Sequence, residues 1–358
     1  MTFGRFFLPG PTDVHPDVLA AMQRPMIGHR SGAMEQLLAG LEPRLAALFR
    51  TTRTVLVGTT SATGFMELAV RNGVRHRALS LVNGSFSERF ANLVRACGKE
   101  CVRLDVPLGC AVEPDMLRDA LRRTPVDAVT VVHSETSTGV LQDLPALAQV
   151  VREFDDVLLL VDAVTSLAGS PVETDDWGLD FALTGSQKAL ALPPGLALGV
   201  ASPRMLERAR TLPGRGLYFD LVSFADATAK HQPTNTPAIS LLYALETQLG
   251  RIERDGGVEA RWRRHDAMRR RVEQWSEQRG VSYLPREGRR SWTVSCLKLP
   301  DGTPGGSKRI VAGLKDAGWT IGAGYGSLKD STIRIGHMGD HTVGALDELL
   351  ALLAGLLA

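Results

Sequence analysis

The sequence predicts an α/β fold: a large domain with a mostly parallel sheet sandwiched by helices, followed by a small C-terminal α+β domain. Between residues 54 and 202, apolar segments of strand length alternate with amphipathic helical segments. This alternation is typical of βαβ units, in which right-handed crossovers join parallel strands. Val157–Val161 is an unbroken apolar run, as expected of a strand that is covered on both faces. With 358 residues, the chain is long enough for two domains.

The predicted elements divide the chain into an arm (residues 1–20), a large domain (21–236), and long connecting helices with a small domain (237–358). Proline keeps the segment Phe6–Thr12 extended, and we expect it to cross another surface. Strands are predicted at Val55–Val57, Leu79–Val82, Cys101–Val106, Ala128–His133, Val157–Val161, Phe181–Leu183, Leu196–Ala201, Ser291–Leu299, near Thr320 and at Thr332–Ile335. Helices are predicted at Pro16–Arg24, Ala33–Phe49, Pro203–Arg210, Ile239–Ile252, Val258–Gln278, Ser307–Ala317 and Val343–Leu357, with an irregular region at Pro213–Pro237.

Composition argues against a nucleic-acid or membrane partner. The formal net charge is only +2, so no global field favours either one. The helix Val258–Gln278 carries arginines that we expect on its solvated face, because Val258, Trp262, Val272 and Trp275 share the opposite face; these are Arg261, Arg263, Arg264, Arg269, Arg270 and Arg271. The four cysteines lack metal-site spacing, and neither a signal peptide nor a membrane span is evident, so reduced thiols and a cytoplasmic location are expected.

Lys188 and Asp162 are the candidate catalytic residues. Lys188 follows a short strand and the turn Gly185-Ser-Gln, and it precedes the apolar stretch Ala189–Leu192. A buried ammonium is costly there, whereas a lysine linked as a Schiff base avoids that cost. Asp162 ends the apolar run that begins at Val157, where α/β sheets place ligand-binding groups. A lysine aldimine and an Asp on a pyridine nitrogen are the attachments of pyridoxal phosphate.

Small and polar residues follow the other strands. Ser61, Ala62 and Thr63 begin a helix after the first strand of the large domain, and a helix N-terminus suits a phosphate group. Phe86 follows the next strand and is predicted to stack on a flat ring, and Thr136 is expected to donate to the phenolic oxygen of that ring. The loop Gly28–Ser31 contains two side chains that can carry a positive charge, His29 and Arg30. Two interpretations are open: a solvated surface loop, or a loop that enters an anion-binding site.

Several segments resemble the class V aminotransferases of fold type I, the family of alanine–glyoxylate, serine–glyoxylate and serine–pyruvate aminotransferases. The resemblance covers essentially the whole chain. It rests on the motifs Leu8-Pro-Gly-Pro-Thr, Thr60-Ser-Ala-Thr-Gly-Phe-Met-Glu, Glu135-Thr-Ser-Thr-Gly-Val-Leu-Gln142, Val161-Asp-Ala-Val-Thr-Ser-Leu, Gly185-Ser-Gln-Lys-Ala-Leu and Arg334-Ile-Gly-His-Met-Gly. Ala62-Thr63 stands where the family commonly has Gly-His, so the phosphate cup is expected to differ slightly.

The resemblance implies a role for each candidate. Lys188 would form the Schiff base and shuttle the proton, Asp162 would pair with the ring nitrogen, and Phe86 and Val164 would pack on opposite ring faces. Gln187 is expected beside the cofactor, and Arg334 would grip the substrate α-carboxylate in a two-pronged pair. Asn235 and Thr236 resemble a segment that reaches the neighbouring subunit's cofactor, which implies a homodimer with shared active sites.

The implied reaction moves an amino group from a small amino acid, alanine or serine, to a 2-oxo acid such as glyoxylate or pyruvate. Phosphoserine aminotransferase is the alternative, because its phosphate-gripping His-Arg pair resembles His29-Arg30. A cysteine desulfurase is disfavoured, since the loop Gly322–Lys329 has no cysteine and Gln187 stands where desulfurases usually have His. A non-catalytic cofactor-binding protein would be expected to lack Lys188, Asp162 or Arg334, and all three are present.

Overall fold

The computed structural model describes residues 3–300 and 302–357. The strands are β1 Phe6–Phe7, β2 Val55–Gly58, β3 Arg77–Val82, β4 Glu100–Asp105, β5 Ala128–Val132, β6 Ser134–Glu135, β7 Val140–Leu141, β8 Leu158–Asp162, β9 Phe181–Gly185, β10 Ala197–Ala201, β11 Ser282–Tyr283, β12 Ser295–Lys298, β13 Thr320–Ala323 and β14 Thr332–Ile335. The helices are α1 Pro16–Ala21, α2 Gly32–Phe49, α3 Ala62–Gly73, α4 Ser85–Ala96, α5 Pro114–Arg123, α6 Leu144–Val151, α7 Pro203–Thr211, α8 Leu221–Thr228, α9 Ile239–Arg254, α10 Gly257–Arg279, α11 Gly306–Asp316 and α12 Val343–Leu357.

The large sheet has seven strands in the order β2-β10-β9-β8-β5-β3-β4. Strand β10 runs antiparallel to β2 and β9, and the remaining pairs are parallel. Every residue of β5, β8 and β9 is buried, because helices cover both faces of the sheet. One apolar cluster joins the sheet to α2, α5, α6 and α9, and a second joins it to α3, α4, α7 and α8. The mostly parallel, helix-sandwiched sheet predicted from the sequence is confirmed.

The second sheet has five strands in the order β1-β13-β14-β12-β11. Its first strand comes from the N-terminal arm, since Phe6 and Phe7 pair in parallel with Thr320 and Ile321. Residues of α10, α11 and α12 pack on this sheet in a third apolar cluster. The arm therefore crosses another surface, as the proline-rich sequence predicts. No helix among the described residues is long and apolar enough to cross a membrane.

Three predicted segments differ from the structure by more than two residues. The first helix ends at Ala21 rather than at Arg24. The segment predicted to be irregular contains α8, whose first turn is capped by the Asp220 side chain accepting from Val222 N. Strand β12 starts only at Ser295, and the hydroxyl of Thr293, upstream of this strand, donates to Thr165 O in the large domain.

One of the arginines predicted to be solvated is buried. The side chain of Arg261 is 3% exposed, and its guanidinium donates to Ala189 O and to Asp340 at 2.8 Å. Helical periodicity assigns a residue to one side of a helix, but it does not show that α10 also packs against neighbours on that side. The prediction that all six arginines of this helix are solvated is therefore wrong for Arg261.

Candidate active site

The carboxyl ends of the parallel strands meet at one edge of the large sheet. The last residue of β2, Gly58, and the last residue of β9, Gly185, both lie opposite Ala197 of β10. Asp162, the last residue of β8, lies between Val132 of β5 and Leu183 of β9. The topology thus places the loop after β9, which carries Lys188, beside Asp162 and beside the start of α3. This edge is where α/β sheets bind ligands.

Lys188 is a buried amine. The residue as a whole is 7% exposed, and its Nζ donates a hydrogen bond to the carbonyl of Pro9 in the N-terminal arm. Burial, and to a smaller extent the nearby Arg334 guanidinium, lowers the pKa of Lys188 to about 8. A substantial fraction of the amine is therefore neutral and nucleophilic near pH 8.

Asp162 is a buried carboxylate that lacks a cationic partner within ion-pair distance in residues 3–300 and 302–357. Its Oδ1 accepts a hydrogen bond of 2.8 Å from Val164 N. Burial raises the pKa of Asp162 to about 7, although the hydrogen bond from Val164 opposes this shift. A buried carboxylate without a cation is suited to a ligand that brings one, such as a protonated ring nitrogen.

Phe86 provides a flat surface near the lysine. It lies in the first turn of α4, and the centre of its ring is 5.9 Å from Lys188 Nζ. Val164 follows Asp162 by two positions and is partly buried against the apolar cluster that also contacts Phe86. Phe86 and Val164, which are predicted to pack on opposite faces of the cofactor ring, therefore contact the same apolar cluster.

Glu135 is a site residue that the sequence reasoning did not assign a role. Its carboxylate is fully buried at the N-terminus of α4, where it accepts from Phe86 N at 3.2 Å and Ser87 N at 2.9 Å. It also accepts from the hydroxyl of Ser137 at 2.6 Å. The carboxylate thereby fixes the helical turn that carries Phe86. The sequence signal is an acidic residue directly after an apolar strand, followed by small hydroxyl residues.

The start of α3 forms a candidate phosphate cup. Ser61 is its N-cap, and its side chain makes no capping hydrogen bond. Ala62 and Thr63 open the helix, so their backbone N–H groups belong to the first turn, which lacks intrahelical partners. A Cβ on Gly185 would lie 2.7 Å from Gln187 Oε1 and 3.2 Å from Ala62 Cβ. The Gln187 amide is thus adjacent to the cup.

Arg334 and Thr136 lie on the small-domain side of the site. The guanidinium of Arg334 donates from Nε to Ala323 O at 2.9 Å and from Nη1 to Thr136 O at 3.2 Å. It lies 5.4 Å from the ring centre of Tyr325, and its burial lowers its pKa. The Thr136 hydroxyl is paired at 2.5 Å with that of Thr165. The remaining N–H groups of Arg334 are held in a fixed orientation, as a carboxylate grip requires.

The remaining four candidates lie at or near the surface of this chain, whereas Lys188 is buried. Arg30, Asn235 and Thr236 are exposed, and His29 is half-buried in the loop before α2. The segment with Asn235 and Thr236 leads to Ala238, whose N–H donates to Thr59 Oγ1 in the loop before α3. The roles of these four residues stay predictions.

Comparisons with known proteins assign the family. Residues 10–309 match the family model described as aminotransferase class-V. The chain belongs to this family. The aminotransferase is also 31% identical to serine–glyoxylate aminotransferase of Arabidopsis thaliana over 98% of this chain and 88% of that protein. It matches the crystal structure of an alanine–glyoxylate aminotransferase from Nostoc sp. with a TM-score of 0.93, 29% identity and coverage of 100% and 96% of the two chains.

A further solved structure is similar throughout. An aspartate aminotransferase of subgroup IV from Thermus thermophilus matches with a TM-score of 0.90 at 33% identity, covering 99% of each chain. The aminotransferase described here uses pyridoxal phosphate, because it belongs to the class V family and its fold matches those of solved aminotransferases that depend on this cofactor. The site fits that cofactor. Among the residues that the structure describes, no cation pairs with the buried Asp162 carboxylate, Lys188 has a lowered pKa, and the first turn of α3 has N–H groups available for a phosphate.

Proposed function

We propose that this aminotransferase moves the amino group of a small amino acid, alanine or serine, to a 2-oxo acid such as glyoxylate or pyruvate. The observation that carries the proposal is the arrangement around Lys188: Asp162 lies at the end of the adjacent strand, and Arg334 is near enough to lower the pKa of the lysine. The relatives named for serine–glyoxylate and alanine–glyoxylate transfer support the choice of small substrates.

Each residue has a distinct task in this proposal. Bound pyridoxal phosphate supplies an aldehyde that reacts with amines and a ring that takes up an electron pair. Lys188 provides the amine that holds the aldehyde and, once displaced, takes the proton from the substrate Cα and returns it. Asp162 stabilises the protonated ring nitrogen with its charge.

Substrate and cofactor are oriented by further groups. Arg334 binds the substrate carboxylate with the N–H groups that Ala323 and Thr136 leave free, and so directs the Cα–H bond toward Lys188. Phe86 and Val164 pack on the two ring faces. The first turn of α3, with Ser61, Ala62 and Thr63, binds the phosphate next to Gln187, and Thr136 donates to the phenolic oxygen of the ring. In that role the Thr136 hydroxyl accepts from the hydroxyl of Thr165 while it donates its own hydrogen to the ring.

We further propose a cytoplasmic homodimer in which Asn235 and Thr236 reach the partner's cofactor. Both residues are exposed here, which leaves them available to a second copy. In the described residues no cysteine forms a disulfide, which is compatible with a reducing compartment.

A half-reaction screen tests the substrate. The purified holoenzyme is mixed with single amino acids, and conversion of the bound cofactor to its pyridoxamine form is followed by absorbance. Alanine or serine is expected to convert it faster than aspartate or phosphoserine. Conversion by phosphoserine but by neither alanine nor serine would overturn the substrate choice, and fastest conversion by aspartate would favour the substrate of the Thermus relative.

The phosphoserine alternative has its own test at the His29–Arg30 loop. If that loop grips a phosphate, Arg30→Ala lowers phosphoserine turnover and leaves alanine turnover unchanged. Unchanged turnover of phosphoserine in Arg30→Ala would reject that role. The exposed Arg263→Ala on α10 serves as a control for the loss of one surface charge.

A further inference from the structure

The N-terminal arm connects the small sheet to the loop that carries Lys188. At one end, Gly336 N donates to Phe7 O at 2.8 Å, next to the pairing of β1 with β13. At the other end, Thr12 N donates to Gln187 O at 3.2 Å, and the Thr12 hydroxyl donates to Lys188 O at 3.3 Å. The chain between these points, residues 8–11, is therefore held in place from both sides.

The backbone of this held segment lies directly on the lysine side chain. The carbonyl of Pro9, a buried residue, accepts a hydrogen bond from Lys188 Nζ. A Cβ on Gly10 would lie 2.5 Å from Lys188 Cδ and 2.6 Å from Nζ, which is closer than real side chains approach. Gly10 also has φ +98°, a conformation that side chains disfavour. A side chain at this position would therefore push the end of the lysine side chain away from the Pro9 carbonyl.

The same segment packs on the strand pair that carries the carboxylate grip. A Cβ on Gly336 would lie 2.7 Å from Pro9 Cα, and a Cβ on Gly322 would lie 3.0 Å from Pro9 Cδ. Gly322 is the register partner of Arg334 in the pairing of β13 with β14. One pair of strands thus sets the positions of both the Pro9 carbonyl and the Arg334 guanidinium.

We propose that the Pro9 carbonyl is the acceptor that holds the Lys188 amine whenever that amine is released from the cofactor, and that Gly10 is required for this contact. The inference rests on the proposed function in one respect, namely that Lys188 is the reactive lysine. A neutral amine has two N–H bonds and a lone pair. With one N–H donated to Pro9, the lone pair is left to take the proton from the substrate Cα.

The contact favours one state of the enzyme over the other. When the lysine nitrogen is bonded to the cofactor, it has fewer hydrogens and is drawn toward the cofactor ring, so it no longer donates to Pro9. The hydrogen bond therefore stabilises the form in which the amine is free, which is the form that binds pyridoxamine phosphate. A single hydrogen bond of this kind changes an equilibrium by about two- to twelve-fold.

The test compares Gly10→Ala with Gly4→Ala. Both glycines lie in the arm at positive φ, +98° and +89°, but a Cβ on Gly4 meets open space. Full-length protein is stripped of cofactor and titrated separately with pyridoxal phosphate and pyridoxamine phosphate. The cofactor-free and the pyridoxamine phosphate forms both keep the amine on Pro9, so in Gly10→Ala the affinity for pyridoxal phosphate is expected to rise about two- to twelve-fold relative to the affinity for pyridoxamine phosphate. In Gly4→Ala, the ratio of the two affinities stays as in the wild type.

Kinetics and a second variant complete the test. Gly10→Ala is expected to lower the rate constant of the amino-acid half-reaction with little change in the substrate concentration at half-saturation. If Gly10→Ala does not fold, judged by circular dichroism, Thr12→Val takes its place, because it loosens the arm from Lys188 without adding bulk, and the same change in the affinity ratio is expected. An affinity ratio equal to that of Gly4→Ala would overturn the proposal. Because the ratio is measured without a substrate, it decides on the arm even if no amino acid is converted by the wild type.

Discussion

The amine of Lys188 and the carboxylate of Asp162 have pKa values displaced toward each other, to about 8 and about 7, and burial is the largest cause for both. Removal from water penalises the charged form of each group, so near neutral pH both the protonated and the deprotonated forms of the two groups are populated. The buried Glu135 carboxylate raises both pKa values, since its negative charge favours the protonated form of each group. The chemistry of these residues therefore depends on their depth in the fold.

The Asp162→Asn variant tests the burial of this carboxylate in the cofactor-free protein. The folded-state pKa is raised above the unfolded value, so the wild type is stabilised by the protonated carboxyl below about pH 4 and loses that stabilisation as the pH rises toward 7. The amide that replaces the carboxyl group in the variant does not titrate. The free energy of unfolding of the variant relative to the wild type should therefore increase by up to about 4 kcal/mol over this window.

Urea unfolding at several pH values measures this change. The exposed Asp155→Asn is the matched control and is expected to show the pH dependence of the wild type. A constant difference between Asp162→Asn and wild type from pH 4 to pH 8 would contradict the burial of a titrating carboxylate. With cofactor bound, the same variant is expected to lose transamination, because the ring nitrogen then lacks its anionic partner.

The Arg334→Lys variant tests the carboxylate grip. A lysine keeps the positive charge, but it does not make the bonds to Ala323 and Thr136 and a two-pronged pair with a carboxylate at the same time. We expect kcat/KM for the amino acid to fall by about 10- to 100-fold, mostly through KM. Steady-state kinetics measure this, with Arg263→Lys as the control on an exposed surface. A loss in Arg334→Lys no larger than that of the control would remove Arg334 from the substrate site.

At the scale of elements, the site depends on three kinds of segment that end at one edge. Asp162 and the loop of Lys188 follow parallel strands, the predicted phosphate cup and Phe86 lie at helix N-termini, and the arm contacts the lysine. Arg261 of the long helix α10 donates to Ala189 O in the segment directly after Lys188. A buried guanidinium thus holds the loop that carries the predicted catalytic lysine.

Replacement of Arg261 tests the support from α10. Arg261→Met leaves the Asp340 carboxylate, 10% exposed, without its closest cation and leaves Ala189 O without its donor. Loss of one member of a buried pair typically costs about 3–5 kcal/mol in the free energy of unfolding. Arg263→Met, two residues along the same helix and exposed, is expected to change stability by less than about 0.5 kcal/mol.

Denaturant titration of both variants gives the comparison. Equal stabilities would show that the Arg261 guanidinium is replaced by water or by its neighbours Arg251 and Arg264, which lie 3.9 and 3.8 Å from Asp340. A loss confined to Arg261→Met would establish the buried pair as the support of the loop.

At the scale of the whole molecule, one chain holds Lys188, Asp162 and Arg334 but leaves Asn235 and Thr236 on its surface. Large apolar side chains are exposed as well, among them Met26 at 62% and Leu217 at 96%. The neighbour of Leu217, Tyr218, donates its hydroxyl to Thr59 O beside the predicted phosphate cup. In the proposed dimer with shared sites, Leu217 and Tyr218 are expected to contact the partner, because they lie beside the predicted phosphate cup.

A complementation experiment tests the shared site. Lys188→Ala and the double variant Asn235→Ala/Thr236→Ala are each expected to have little activity, the second through weaker cofactor binding. Random reassembly of equal amounts makes about half of the dimers hybrids, each with one intact site, so about a quarter of all sites are intact. Activity that rises to this level on mixing supports a segment that acts across the dimer. No gain on mixing means that the segment serves its own chain.

The sequence alone was sufficient for the order of elements in the large domain and for the edge at which the site lies. Apolar runs of strand length and the residues that follow them are local signals, and the parallel topology brings their carboxyl ends together without further information. Asp162 and Lys188 were predicted in this way, and the structure places Asp162 at the end of β8 and Lys188 in the loop after β9. The family resemblance then extended the prediction to Arg334 and the cofactor, and comparison with known proteins confirmed the family and the cofactor.

Only the tertiary structure decided which contacts these residues make. Periodicity placed Arg261 on a polar side of α10, yet Ala189 and Asp340 lie against that side. The carboxylate of Glu135 at the start of α4 and the carbonyl of Pro9 on Lys188 involve partners 48 and 179 positions away in the chain. Local sequence patterns report how a segment folds, whereas burial and the pairing of buried polar groups depend on which distant segments pack against it.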